Sequence, residues 1–129
     1  MGERNDQLVG VHQTLIIGAS LSSQRVAYTA LHRLVNHGHP VVAIGKKSGT
    51  VSGVMIYNDL TYFEDIHTVT LYLNKSNQID YYDYILSLNP KRVLFNPGTE
   101  NADLASLLTK AGIEWEHACT LVLLSTNQY

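Results

Sequence analysis

At 129 residues the chain has room for one ordinary domain and not for two comfortable ones. With 45% hydrophobic and 16% charged residues it can bury a sizeable core, which excludes a disordered chain. A formal net charge of −2, without a run of basic residues, argues against nucleic acid or an anionic membrane surface as a partner. The single cysteine, Cys119, cannot form an internal disulfide, so nothing points to an oxidising compartment. Residues 1–7 are polar and mixed in charge, unlike the apolar centre of a secretory leader, and no window reaches the ~18 apolar residues of a membrane span. The expectation is a cytoplasmic protein whose residues 1–12 form a loosely packed N-terminus.

In chain order, the first element is the apolar run Thr14-Leu15-Ile16-Ile17-Gly18, read as a buried strand. A helix follows, with Val26, Ala27, Ala30, Leu31, Leu34 and Val35 on one face. Ser22 or Ser23 is its expected cap, and Gly38 its left-handed end. Residues 40–45 form the second strand. Residues 46–65 are irregular, with a short strand at Val54-Met55-Ile56-Tyr57 and a turn of helix at 59–64 as options. Residues 67–73 form the next strand. A helix capped by Ser76 then carries Ile79, Tyr82, Ile85 and Leu86 on one side and stops at Asn89-Pro90, because proline disfavours helix in the residue before it. Residues 92–96 are a strand. A helix from about Asn101 turns Leu104, Leu107, Leu108 and Ala111 inward and ends at Gly112. Ile113-Glu114-Trp115-Glu116 is a weaker last strand.

Strands alternating with helices predict an α/β fold. The expectation is a Rossmann-like, open, parallel, five-stranded sheet with helices on both faces, in three layers joined by right-handed crossovers.

In such a sheet the loops after the strands share one edge, and ligands bind there near the reversal of strand order. The first of these loops, Gly18-Ala19-Ser20-Leu21-Ser22-Ser23, has a glycine for a tight turn, several hydroxyls, a helix N-terminus behind it, and Arg25 close by. Those features suit a phosphate, and they equally describe an ordinary capped turn. It is not a dinucleotide fingerprint, which would need glycines where Ser20 and Ser23 stand. The second loop carries Lys46-Lys47 after Gly45, where an NAD site wants an acid. Two lysines favour an additional phosphate, as on NADP or on the ribose of coenzyme A, or else are simply solvated. The fourth loop, Asn96-Pro97-Gly98-Thr99, makes a rigid turn before a helix, with Glu100 placed where a helix dipole favours an acid.

Catalytic constellations are missing from the sequence. His12, His32, His37, His39, His67 and His117 make no metal spacing, and there is no paired Cys motif, phosphate-loop lysine motif or nucleophile elbow. Cys119 follows the last strand and lies near the binding edge. It reads as a small buried hydrophobe or, less readily, as a reactive thiol.

The run Leu15-Ile16-Ile17-Gly18-Ala19-Ser20, with Arg25 and His37-Gly38-His39-Pro40-Val41-Val42, resembles the small stand-alone CoA-binding domain proteins. These are similar to the nucleotide-binding domain of the succinyl-CoA synthetase α subunit. The segments Tyr81-Tyr82-Asp83-Tyr84-Ile85-Leu86, Phe95-Asn96-Pro97-Gly98-Thr99-Glu100-Asn101 and Ala118-Cys119-Thr120-Leu121-Val122-Leu123-Leu124 extend the likeness over nearly the whole chain. The resemblance implies coenzyme A or an acyl-CoA at the sheet edge. Gly18, Ala19, Ser20 and Arg25 would meet its phosphates, the Gly45-Lys46 loop would lie beside the adenosine part, and Leu71, Tyr72 and Leu73 would line the nearby wall. Ser22, Lys47, Asn96, Gly98 and Thr99 complete the candidate edge.

The resemblance implies no reaction, so non-catalytic binding leads. An NADP-binding redox enzyme or sensor, an acyl-transfer enzyme using Cys119 and a ligand-free interaction subunit are the alternatives. A homodimer is a further possibility, because Leu121 to Leu124 have the composition to cover either the sheet or a partner.

Overall fold

A computed structural model describes residues 13–129; the expected loose N-terminus, residues 1–12, lies outside the described residues. One seven-stranded sheet runs through the molecule. Its strands are β1 (Thr14–Ala19), β2 (Val41–Gly45), β3 (Gly49–Val51), β4 (Val54–Tyr57), β5 (Thr68–Leu71), β6 (Arg92–Phe95) and β7 (Glu114–His117). Their spatial order is β3-β4-β2-β1-β5-β6-β7. All neighbours are parallel except β3 and β4.

The five expected strands are β1, β2, β5, β6 and β7. The count rises to seven because residues 49–57 fold into a hairpin. Its turn is Ser52-Gly53, with φ of 51° and 79°, the doubly positive geometry that two-residue hairpins prefer. Residues 59–64 form no helix. They are part of an extended strap from β4 back to β5, held by an edge-on contact of Phe63 with Tyr57 (5.6 Å) and by the Tyr84 hydroxyl donating to the Thr61 carbonyl.

Helix α1 (Val26–Asn36) ends in His37 and Gly38. The Gly38 N–H bonds the Val35 carbonyl, and Gly38 takes φ of 83° as its position demanded. The expected single helix after β5 is broken. It comprises α2 (Lys75–Gln78), a 3₁₀ turn at Ile79–Tyr81, and α3 (Tyr82–Leu88). Its cap is Asn74, whose side chain accepts from the Asn77 N–H, while Ser76 only donates to Asn74. The break turns Ile79 outward. Helix α4 (Ala102–Lys110) starts at Asn101 as expected, although Ala111 is exposed. A fifth helix, α5 (Thr120–Ser125), follows β7.

Alternation along the buried strands divides the core in two. On one face Ile16, Ala43 and Ile56 pack with Leu31 and Leu34 of α1 and Leu124 of α5. On the other, Leu15, Ile17, Ile44, Val69, Leu71, Val93 and Phe95 pack with Ile85 and Leu88 of α3 and Leu104 and Leu108 of α4. The three-layer arrangement is therefore complete. Much of the C-terminal apolar segment is used within the chain, since Leu124 is buried, although Val122 remains exposed. Among the described residues no helix is long and apolar enough to cross a membrane.

Candidate functional site

The chain runs from β1 outward to β2, and β5 then pairs on the other side of β1, so strand order reverses between β1 and β5. At that point the first loop is held by close backbone approaches. Gly18 has φ of +96°, and a Cβ there would lie 2.9 Å from the Tyr72 carbonyl carbon and 3.1 Å from a Leu73 methyl. The β1–β2 register also shifts between Ile17 and Ala19, so that Ala19 pairs with Gly45. One turn further, the end of the Leu21 side chain packs against Gly49 of the hairpin, so that a side chain at 49 would have to displace it. The structure thus brings Gly18, Ala19, Gly45, Tyr72 and Leu73 into one cluster. Leu71 is fully buried in the core behind them.

Neither Ser22 nor Ser23 caps α1. Residues 22–25 make their own turn, with the Arg25 N–H on the Ser22 carbonyl at 3.1 Å, which delays the helix to Val26. The Ser20 hydroxyl accepts from the Ser22 N–H (3.0 Å) and that of Ser22 from the Gln24 N–H (3.4 Å). Arg25 occupies the N-cap with extended backbone and gives no side-chain cap, and the first turn contains no acid. An 11-residue helix therefore points an uncapped, positively polarised end at the edge of the sheet. Arg25 is exposed beside it, and Lys46 and Lys47 are exposed directly after Gly45.

The fourth loop is different. Asn96 is buried, and its side-chain amide and its carbonyl are engaged. Its amide donates to the Thr70 hydroxyl (2.6 Å) and the Leu71 carbonyl (2.9 Å), and its oxygen accepts from the Thr120 N–H (2.9 Å). The Thr99 hydroxyl donates to the Asn96 carbonyl at 2.7 Å, and the Gly98 N–H is bonded by Glu100 at 3.0 Å. Asn101 caps α4 through the N–H groups of Asp103 and Leu104, and its own amide donates to Gln78 and Tyr82. Asn96, Gly98 and Thr99 hold this loop's shape, and the α4 end carries its own cap and two acids, Glu100 and Asp103.

Behind the edge, Thr70 and Thr120 share a hydroxyl–hydroxyl bond of 2.8 Å. The Tyr72 hydroxyl beside them is buried without a hydrogen-bond partner of good geometry. Burial pushes its pKa up to about 12, the nearby Thr120 and Thr70 hydroxyls offsetting only part of that. Cys119 is half-buried at the start of α5. Among the described residues no three His, Cys, Asp or Glu side chains group as metal ligands.

Residues with no signal in the sequence also meet. Gln78 is fully buried and ties Leu73 to Thr99, donating 2.8 Å bonds to both carbonyls. A groove opens between α4 and the edge strand β7, lined by Trp115 and His117 among others. Neither feature follows a spacing rule, since each depends on which elements become neighbours.

A search among curated proteins finds no match. Among solved structures, an uncharacterised protein is 48% identical, with a TM-score of 0.90 over 93% of this chain and 99% of that one. A hypothetical protein from Pyrococcus horikoshii OT3 is 21% identical, with a TM-score of 0.83 over 97% of this chain and 89% of its own. A protein from Thermus thermophilus is 19% identical, with a TM-score of 0.80 over 99% and 98%. The last two share the fold. The match that classifies the sequence spans residues 12–125, and by it the chain belongs to the CoA binding domain family.

Proposed function

We propose that this chain binds coenzyme A or an acyl-CoA without transforming it, at the edge where β1, β2 and β5 end. The observation that carries the reading is the uncapped N-terminus of α1 at the reversal of strand order, with Arg25, Lys46 and Lys47 exposed around it and no acid in its first turn. Free N–H groups and the helix dipole suit a pyrophosphate, and the lysines suit the additional ribose phosphate that distinguishes coenzyme A from ADP. Gly18, Ala19, Ser20 and Ser22 shape the cradle, Gly45 lets the second loop come alongside, and Tyr72 and Leu73 form the wall. The polar groups of Asn96, Gly98 and Thr99 are occupied internally, so their part is to support the cradle. Family membership supports the ligand class.

Calorimetry and thermal unfolding with coenzyme A, acetyl-CoA, NAD, NADP and ATP test the reading. A ligand at about 100 times its dissociation constant adds roughly 2.7 kcal/mol, a rise of several degrees in a domain of this size. Coenzyme A should raise the midpoint, NAD should not, and Lys46→Glu should weaken the effect. Acetyl-CoA should be recovered unchanged after prolonged incubation. A rise with NADP alone would move the case to a redox protein, and no rise with any nucleotide would overturn the binding role.

A further inference from the structure

The groove between α4 and β7 has a volume of about 460 Å³ and is lined along its length by Ala102, Ala105, Ser106, Thr109, Trp115 and His117. Lys75 and Glu100 stand at the end that opens on the same sheet edge as the nucleotide cradle. Two alanines keep one wall low. The other wall is aromatic and held in place: the Trp115 indole N–H donates to the Thr109 hydroxyl at 2.9 Å, and the Trp115 ring lies 5.5 Å from His117 and 5.8 Å from Phe95. Trp115 nevertheless remains 37% exposed, an unusual position for the chain's single tryptophan.

We infer that this groove receives the acyl-pantetheine arm of the coenzyme thioester, an inference that rests on the coenzyme reading. Charge selects the arm over the nucleotide. Lys75 at this end is paired with Asp103 at 3.5 Å, and Glu100 holds the Gly98 N–H, so the capped end of α4 keeps one net acid and offers a phosphate no free cation, whereas the amides, thioester and acyl chain of the arm are neutral. The lining matches that chemistry, with the Ser106 hydroxyl and the His117 imidazole for amides and an aromatic wall for a hydrocarbon chain, the Thr109 hydroxyl being used to hold Trp115. Along the sheet β7 lies three strands from β1, roughly 14 Å at ~4.8 Å per strand, and because α4 packs on the face opposite α1 the arm also passes over the strand ends, where Lys75 and Glu100 mark the mouth of the groove.

Trp115 is the reporter. 3′-Phosphoadenosine 5′-diphosphate (the nucleotide half without the arm), coenzyme A and octanoyl-CoA are each titrated by calorimetry and by tryptophan emission. All three should bind. Only the two with an arm should change Trp115 emission, and octanoyl-CoA should bind roughly tenfold more tightly than coenzyme A through the apolar surface it buries. Ser106→Phe, at an exposed position on the groove wall, should reduce octanoyl-CoA affinity to that of the arm-free nucleotide half and leave binding of that half unaffected. Ala102→Tyr repeats the test from a second exposed position. Binding of all three with silent Trp115 emission, and with both variants unchanged, would overturn the groove assignment alone. Failure of all three to bind would overturn the coenzyme reading and the groove with it.

Discussion

A Cβ on Gly45 would stand 2.2 Å from the carbonyl oxygen of Ala19. No rotamer relieves that contact, because the obstacle is backbone in the neighbouring strand. The last residue of β2 must therefore lack a side chain if the first and second loops are to lie together. Gly45→Ala should cost about 1–3 kcal/mol, the usual range for overpacking. Gly18→Ala should cost at least as much, since it adds a φ of +96° to a 2.9 Å contact with Tyr72. Gly53→Ala has positive φ but nothing within 4 Å, and should lose only about 1 kcal/mol. Urea denaturation of the three variants checks the ranking.

Replacing Arg25 separates stability from binding. The N-cap of α1 has the backbone of a capped helix and lacks the side chain to use it. Arg25→Asp should accept N–H bonds from the first turn and stabilise the ligand-free protein by about 0.5–1 kcal/mol. The same carboxylate would compete with and repel a phosphate, so coenzyme A affinity should fall roughly tenfold or more. Thermal unfolding without ligand and calorimetry with it should move in opposite directions. A simultaneous loss of both would show that Arg25 serves the fold rather than the ligand.

Asn96 joins β5, β6 and α5 through a single amide. Asn96→Ala leaves a buried Thr120 N–H and Leu71 carbonyl without partners. At about 1–3 kcal/mol for each stranded group, the loss should reach several kcal/mol. The urea midpoint should fall with an unchanged slope, as expected when stability changes without loss of two-state behaviour.

Tyr72 predicts an alkaline limit. Its folded pKa is pushed up to about 12 by burial, above the ordinary value of 10. The folded state therefore holds the proton more tightly than the unfolded chain. The resulting stability is complete below pH 10 and is lost as pH rises from 10 through 12. Burial shifts Tyr84 and Tyr129 the same way, so wild type loses stability through all three groups. Tyr72→Phe removes an unpartnered hydroxyl and should be neutral or slightly stabilising at pH 7. It should also lose less stability than wild type between pH 10 and 12. Equal losses would mean that Tyr72 is not buried in the way its surroundings indicate.

Local rules made much of the fold legible. Apolar runs such as Leu15-Ile16-Ile17 fix buried strands, and the 3.6-residue spacing of Ala27, Ala30, Leu31 and Leu34 fixes a helical face. Gly38 and Asn101 mark helix ends because positive φ and N–H capping are demands that few residues meet. In the hairpin at 49–57 the strand at 54–57 is legible, while β3 is not, because a three-residue strand carries too few alternations to show a period; the strap at 59–64 is not legible because tertiary contacts of Tyr57 and Tyr84 hold it. Caps were misjudged for the same reason. Whether Ser22 or Arg25 precedes α1, and whether Asn74 or Ser76 begins α2, depends on a single turn's geometry.

The sequence by itself determined the α/β class, the edge at which the candidate loops gather and the family, because repeating apolar patterns and strand-end loops are written locally along the chain. Only the tertiary structure decided that Gly45 must face Ala19, that Asn96 is consumed inside the protein while the end of α1 stays uncapped, and that Trp115 borders a groove. Each of those follows from which elements become neighbours in the sheet, and β1 touches β5 across more than fifty intervening residues, a relation that no local spacing encodes.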